Sequence, residues 1–151
     1  MLKSIISVIL FLSVCFAQSV KVGEELKPFT LSDQFDKVHS IDTQKYGLFL
    51  ISSQKEVSSW VNGFLKTKSR NFLDQNRAVY ICDIHTMPSI VISLFALPKM
   101  RKYNYTMMLF YEKNRVFPVR EDALTVVKFK NKKVQAIRFI KDEKKIKEIF
   151  K

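Results

Sequence analysis

Read for the alternation of apolar and polar positions, the chain sorts into short buried strands separated by amphipathic helices. Tyr46 to Ile51 is an apolar run after the turn Thr43-Gln44-Lys45, and its length suits a strand buried on both faces. Ser53-Gln54-Lys55-Glu56 then has the S-x-x-E spacing of a capping box, which predicts a helix start at Ser53. Val57, Trp60, Val61, Phe64 and Leu65 follow at i, i+3, i+4, i+7 and i+8, one apolar stripe of that helix, and Phe72 and Leu73 extend it or begin a second turn after the polar stretch Lys66–Asn71. Ala78 to Ile84 reads as a second buried strand. Pro88 suits the first turn of a second helix, with Ile90, Val91, Leu94 and Phe95 as its core face and Pro98 as its stop or kink. Tyr105 to Tyr111 is a third strand. Leu124–Phe129 and Val134–Ile140 flank Lys130-Asn131-Lys132-Lys133 as an antiparallel hairpin, and a Lys-rich helix with Ile146, Ile149 and Phe150 on one side closes the chain. Two parallel crossovers, a hairpin and a terminal helix predict an α/β domain in three layers: a central mixed β-sheet with helices on both faces. Phe29-Thr30-Leu31 and Val38–Ile41 add short extended pieces ahead of it.

Composition narrows the function classes more than it names one. With 47% apolar and 26% charged residues the chain is globular in type, and three Gly and four Pro exclude collagen-like or low-complexity sequence. Gly23, Gly47 and Gly63 never cluster, so no Gly-rich turn is available for a dinucleotide, and no other motif calls for a bound cofactor. Gly-x-Ser-x-Gly is absent and only two His are present, which leaves Ser/His/Asp hydrolysis without support.

The first 17 residues change the picture. Lys3, the apolar run Ile5–Val14 broken only by Ser7 and Ser13, and Cys15-Phe16-Ala17 together predict a cleavable signal peptide over residues 1–17, followed by one domain over 18–151. The run is well short of the ~20 residues that span a bilayer. A lipoprotein reading would use Leu12-Ser13-Val14-Cys15, where Val14 is larger than the residue usually found before a lipidated Cys. The expected location is therefore periplasmic or secreted. Cleavage removes Lys3 and no acid, taking the formal charge from +12 to +11. Such a basic chain would suit nucleic acid inside a cell. Export points instead to an acidic protein, an anionic envelope component, or peripheral contact with a membrane surface. Cleavage also leaves Cys82 as the only thiol, so no disulfide can form within the mature chain.

Val22-Gly23-Glu24-Glu25-Leu26-Lys27-Pro28-Phe29-Thr30-Leu31-Ser32-Asp33-Gln34-Phe35-Asp36-Lys37 resembles the opening of peroxiredoxins and related thiol reductases, with the Pro displaced by one position and Asp36 where Gly is usual. The order of elements likewise resembles the thioredoxin fold. That resemblance implies a reactive Cys at the start of the helix after the first buried strand, where the helix dipole and free N–H groups stabilise a thiolate. The corresponding stretch, residues 51–60, holds four serines and no cysteine. A hydroxyl cannot perform thiol–disulfide exchange. The cis-Pro that the resemblance implies near Asn104-Tyr105-Thr106 is replaced by Tyr105. The expectation is a thioredoxin-like domain without its catalytic cysteines, and no catalytic residue is assigned.

Several residues remain as candidates. Cys82 is either a redox thiol or a small buried hydrophobe. Cys82, His85 and Met87 put three soft or borderline ligands within six residues, a possible Cu(I) site for a carrier protein, although Cys82 and His85 would face opposite ways along an extended strand. Asp83 and His85 lie at the C-terminal end of a strand, the edge where open α/β sheets often bind ligands; alternatively Asp83 and Thr86 orient the turn into the next helix. Lys99, Arg101 and Lys102, with Tyr103 and Tyr105, could bind an anionic group or an acidic partner segment, or could simply complement a helix C-terminus. Lysines at 128, 130, 132 and 133 on the hairpin guard an edge strand against pairing, and those of the last helix serve solubility. The reading is an exported, non-catalytic binding or scaffolding module for an acidic partner or anionic surface; the alternative is a redox or copper carrier built on Cys82, His85 and Met87.

Overall fold

The computed structural model describes residues 18–151, so the expected signal peptide over residues 1–17 lies outside the described residues. A seven-stranded mixed sheet carries the fold. Its strands are β1 (Phe29–Asp33), β2 (Val38–Ile41), β3 (Leu48–Ser52), β4 (Ala78–Asp83), β5 (Met108–Phe110), β6 (Leu124–Lys130) and β7 (Lys133–Ile140), in the order β2-β1-β5-β4-β3-β6-β7. β3 pairs in parallel with β4, and β4 with β5, whereas β6 runs antiparallel to β3 and to β7. All residues of β3 and β4 are buried, as their unbroken apolar runs require.

Period-two alternation sends those runs into two clusters. Leu48, Leu50, Tyr80, Cys82, Leu109, Leu124 and Val126 face one side; Phe49, Ile51, Val79, Ile81, Met108 and Val127 face the other. The first side is covered by α1 (Lys55–Leu65) through Val57, Val61 and Leu65, by α2 (Phe72–Gln75) through Leu73, by the segment 89–100 through Ile92 and Leu97, and by a final 3-10 helix (Glu143–Phe150) through Ile146 and Ile149. The rings of Phe64, Phe72 and Phe150 meet at its margin, with centroids 4.9–5.8 Å apart.

The mixed α/β sheet is as expected; the layering differs in one respect. Among the described residues no helix joins the second cluster, which is covered by Val20, Leu26, Val116 and Phe117 from irregular segments. The steps from β3 to β4 and from β4 to β5 go in the same direction across the sheet, and right-handed crossovers then place both helical connections on one face.

Two helix boundaries also depart from the sequence reading. α1 starts at Lys55 behind Gln54, whose extended backbone makes it the cap residue, so the expected capping box at Ser53 does not form. The shift leaves Glu56 at the second helical position, and the Ser53 hydroxyl is buried without a partner. The segment 89–100 comprises α3 (Ser89–Val91), a π-turn (Ile92–Ala96) and α4 (Leu97–Met100), so it continues through Pro98. Proline has no N–H to donate, and the wider π-turn absorbs that loss by bonding the Leu97 N–H to the Ile92 carbonyl. The extra residue rotates the helical phase. Ile92 and Leu97, five apart, point into the core, while the expected core residues Ile90, Leu94 and Phe95 stand 61–69% exposed. The closing helix is 3-10 in type, capped by Asp142, whose carboxylate accepts from the Lys144 N–H at 3.0 Å.

The turn of the β1–β2 hairpin hangs on Asp33. Its Oδ1 accepts from the N–H groups of Phe35 (2.8 Å) and Lys37 (3.1 Å), and its Oδ2 lies 2.7 Å from His39 Nε2. Burial pushes the Asp33 carboxyl up, but His39 and the two N–H donors outweigh it and hold it below the usual aspartate value of 3.8. A carboxyl lowered by folding stabilises above the unfolded value and loses that contribution as pH falls through the folded one. Asp33→Ala should therefore cost about 1–3 kcal/mol at neutral pH. The gap to the wild type should close below about pH 4. Urea melts at pH 7 and pH 3 measure it; an equal gap at both would refute the carboxylate's part.

Candidate functional site

Both helical connections run back from the C-terminal edge of the strands, so α1 and the segment 89–100 lie side by side on the same face. Between them is a groove of about 610 Å³. One wall is the outer face of α1: Lys55, Ser58, Ser59, Asn62 and Lys66 recur at helical spacing along it. The other wall is mostly apolar, with Ile84, Met87, Val91, Phe95 and Met100, and carries Thr86 and Lys99. Cys82 forms part of the floor.

At the upper end, where a thioredoxin-like enzyme would carry its thiol, the chain of contacts is made of hydroxyls. Ser52 Oγ lies 2.9 Å from Tyr80 Oη and 2.8 Å from Ser58 Oγ, and Ser58 Oγ lies 3.6 Å from Cys82 Sγ. Burial pushes the Cys82 thiol up, against the smaller opposing pull of Ser58, Ser52 and Tyr80. Tyr80 is also held protonated by burial, well above an ordinary tyrosine. The cluster thus keeps its protons at neutral pH.

At the lower end Tyr103 stacks on Tyr105, with centroids 5.2 Å apart and planes 10° from parallel. Lys66 Nζ sits 5.0 Å from the Tyr103 ring centroid. Tyr105 donates its hydroxyl proton to Asn62 Oδ1 at 2.7 Å, which fixes the amide and aims its NH2 away. Lys99, from α4, joins Lys66 and Tyr103 in lining this end.

The structure brings together some of the residues singled out in the sequence and separates others. Cys82, Asp83, Met87, Lys99 and Tyr103 all line the groove; His85, Arg101 and Lys102 are not among its lining residues. Asp83 Oδ1 accepts the His85 N–H at 3.1 Å and lies 2.7 Å from His85 Nδ1, so the pair shapes the turn after β4. Of the three copper-ligand candidates, Cys82 and Met87 share the groove, whereas His85 turns its Nδ1 to Asp83. Among the described residues no group of three or more His, Cys, Asp or Glu is placed to hold a metal ion. Arg101 serves a different contact from the expected anion site: its Nε donates to the Gln34 carbonyl at 2.7 Å and its Nη2 pairs with Asp36 at 3.0 Å. It ties the β1–β2 turn to α4. The sequence reading missed Lys55, Asn62 and Lys66, although their spacing marks the polar side of the same helix whose apolar stripe was legible.

No helix among the described residues is long and apolar enough to cross a membrane. No family model and no curated protein matches the chain by sequence. Solved structures do match in shape. The chain is similar to the peroxidoxin BcpB of Mycobacterium tuberculosis, with a TM-score of 0.54 and 13% identity over 86% of this chain and 94% of that one. It is also similar to a candidate disulfide isomerase of Bacteroides thetaiotaomicron, with a TM-score of 0.53 and 12% identity over 87% and 86% of the two chains. A candidate electron transfer protein of Aquifex aeolicus VF5 gives a TM-score of 0.53 at 8% identity over 86% and 96%. At such identities the likeness carries the fold and not the chemistry. With the parallel β3–β4–β5 core, the antiparallel β6–β7 hairpin and helices on the β3–β4 face, the chain has a thioredoxin-like fold, with a single buried cysteine among its described residues.

Proposed function

We propose that this chain is an exported binding protein that uses a thioredoxin-like scaffold to hold an acidic partner and performs no thiol chemistry. The observation that carries the reading is the composition of the groove. Where such a scaffold would present a thiolate at the head of α1, this chain lines the groove with Ser53 and Ser58, and its one described thiol lies 3.6 Å from Ser58 Oγ with its proton retained. Lys55, Lys66 and Lys99 line the same groove, against one acid, Asp83, already bonded to His85. That charge balance favours encounter with a carboxylate-bearing partner. Export rests on residues 1–17 and suits a protein whose partner lies in the envelope.

Three measurements test it together. Native Cys82 should react with a disulfide reagent at least about tenfold more slowly than in guanidinium, because reaction requires exposed thiolate. The processed chain should also leave insulin disulfides and hydrogen peroxide at their uncatalysed rates. Capture of acidic envelope proteins at low salt should be lost in the Lys66→Glu/Lys99→Glu double variant. Turnover of insulin or peroxide, or capture unchanged by the double reversal, would overturn the reading.

A further inference from the structure

The two walls of the groove differ in kind, and the difference specifies what fits between them. Along α1 the groups facing it are donors. Asn62 has its oxygen bonded to Tyr105 and its NH2 free, α1 has no side-chain cap on its first N–H groups, and Lys55 and Lys66 stand at the two ends. An acyl chain would leave this wall unsatisfied. Carbonyl and carboxylate oxygens would not. Opposite, Met87, Val91, Phe95 and Met100 offer only apolar surface, and Phe95 is 69% exposed.

An extended peptide has the matching asymmetry, because its side chains alternate between two faces. The eleven-residue step from Lys55 to Lys66 spans about 16 Å of helix. Five extended residues cover about 13 Å between their first and last Cα atoms, and two carboxylate side chains make up the remainder. We infer that the groove binds an extended five-residue segment of the pattern acidic–apolar–polar–apolar–acidic, with its carboxylates at Lys55 and at the Lys66/Lys99 end and its two apolar side chains on Met87, Val91 and Phe95. The inference rests on the acidic-partner reading and narrows it to a linear sequence motif.

The test uses a fluorescein-labelled Asp-Leu-Ser-Leu-Asp peptide with blocked termini, titrated with the processed protein in a fluorescence anisotropy assay. Saturable binding is expected, weakened about tenfold by Lys55→Glu and again by Lys66→Glu, since each reversal replaces an attraction by a repulsion at one end. Phe95→Asp, at an exposed position, should weaken it as strongly without altering the melting curve. A peptide with both acids moved to one end should bind about tenfold less well. Equal binding of that rearranged peptide, or no saturable binding of the original, overturns the inference. Displacement of the peptide by dodecanoate at lower concentration than by unlabelled peptide does so too, in favour of an anionic amphiphile. If the peptide fails while Lys66→Glu/Lys99→Glu still abolishes salt-sensitive capture of acidic proteins, the motif is refuted and the broader reading stands; if both fail, both are refuted.

Discussion

Gln34→Leu is expected to lower folding stability by about 2–6 kcal/mol, because it orphans two buried backbone groups at about 1–3 kcal/mol each. Gln34 is fully buried in the turn after β1. Its Nε2 donates to the Tyr105 carbonyl at 2.7 Å and its Oε1 accepts from the Met107 N–H at 2.9 Å. Those two groups belong to the chain just before β5, where the ladder with β4 has not yet begun at Met108. The amide therefore takes the place of a strand partner for a stretch whose Tyr105 and Met107 side chains are already in the core. Leucine matches the volume and satisfies neither group. Gln34→Glu should be no milder: it keeps the acceptor for Met107 but sets a second oxygen against the Tyr105 carbonyl in a site closed to water. Urea denaturation of both variants decides it. A loss below about 1 kcal/mol would mean that water or a local shift replaces the amide.

That residue also shows where the sequence stops being legible. Gln34 stands in the stretch that resembles a peroxiredoxin opening, yet no periodicity marks it as a bracket between segments seventy residues apart. Runs such as Leu48–Ser52 and Ala78–Asp83 are readable because burial on both faces demands unbroken apolar sequence. The hairpin turn is readable for a similar local reason, as Asn131 and Lys132 alone join β6 to β7 and both adopt positive φ. The phase of the segment 89–100 is not readable, since the π-turn that accommodates Pro98 exchanges the expected stripe for Ile92 and Leu97. The candidate site divides in the same way. The missing thiol follows from residue type, whereas the burial of Cys82, open in the sequence between a redox thiol and a small hydrophobe, comes from the structure. The groove does too, because its α1 wall is the polar complement of a stripe read only for its apolar half. Arg101 looked free in the sequence because Asp36 and the Gln34 carbonyl are distant in the chain.

Phe49→Ala is the second large effect expected, a loss of about 3–5 kcal/mol from the face of the sheet that no described helix covers. Phe49 is fully buried on the central strand β3, and its ring centroid lies 5.0 Å from that of Phe129, 5.3 Å from Phe117 and 6.1 Å from Tyr46. Whether the cost falls high or low in the range depends on how far the site can collapse. The sheet side cannot, because β3 is paired with β4 and β6 on its two sides. The cover is irregular chain, but it is tethered. Asn114 Oδ1 accepts from the N–H groups of Val116 and Phe117, Thr125 donates its hydroxyl proton to the Pro118 carbonyl at 2.8 Å, and the Val20 N–H donates to the Val116 carbonyl at 2.9 Å. A cover held at both ends leaves most of the cavity open, which places the loss in the upper half of the range. Hydrogen exchange should show protection falling first at Val20 and Val116, and the denaturation midpoint should give the total. The groove lies on the opposite face, so Phe49→Ala should leave peptide affinity per folded molecule unchanged, while Lys55→Glu and Lys66→Glu change affinity and leave stability within about 0.5 kcal/mol. A Phe49→Ala loss below about 1 kcal/mol would show that the tethers give way and the cover refills the space.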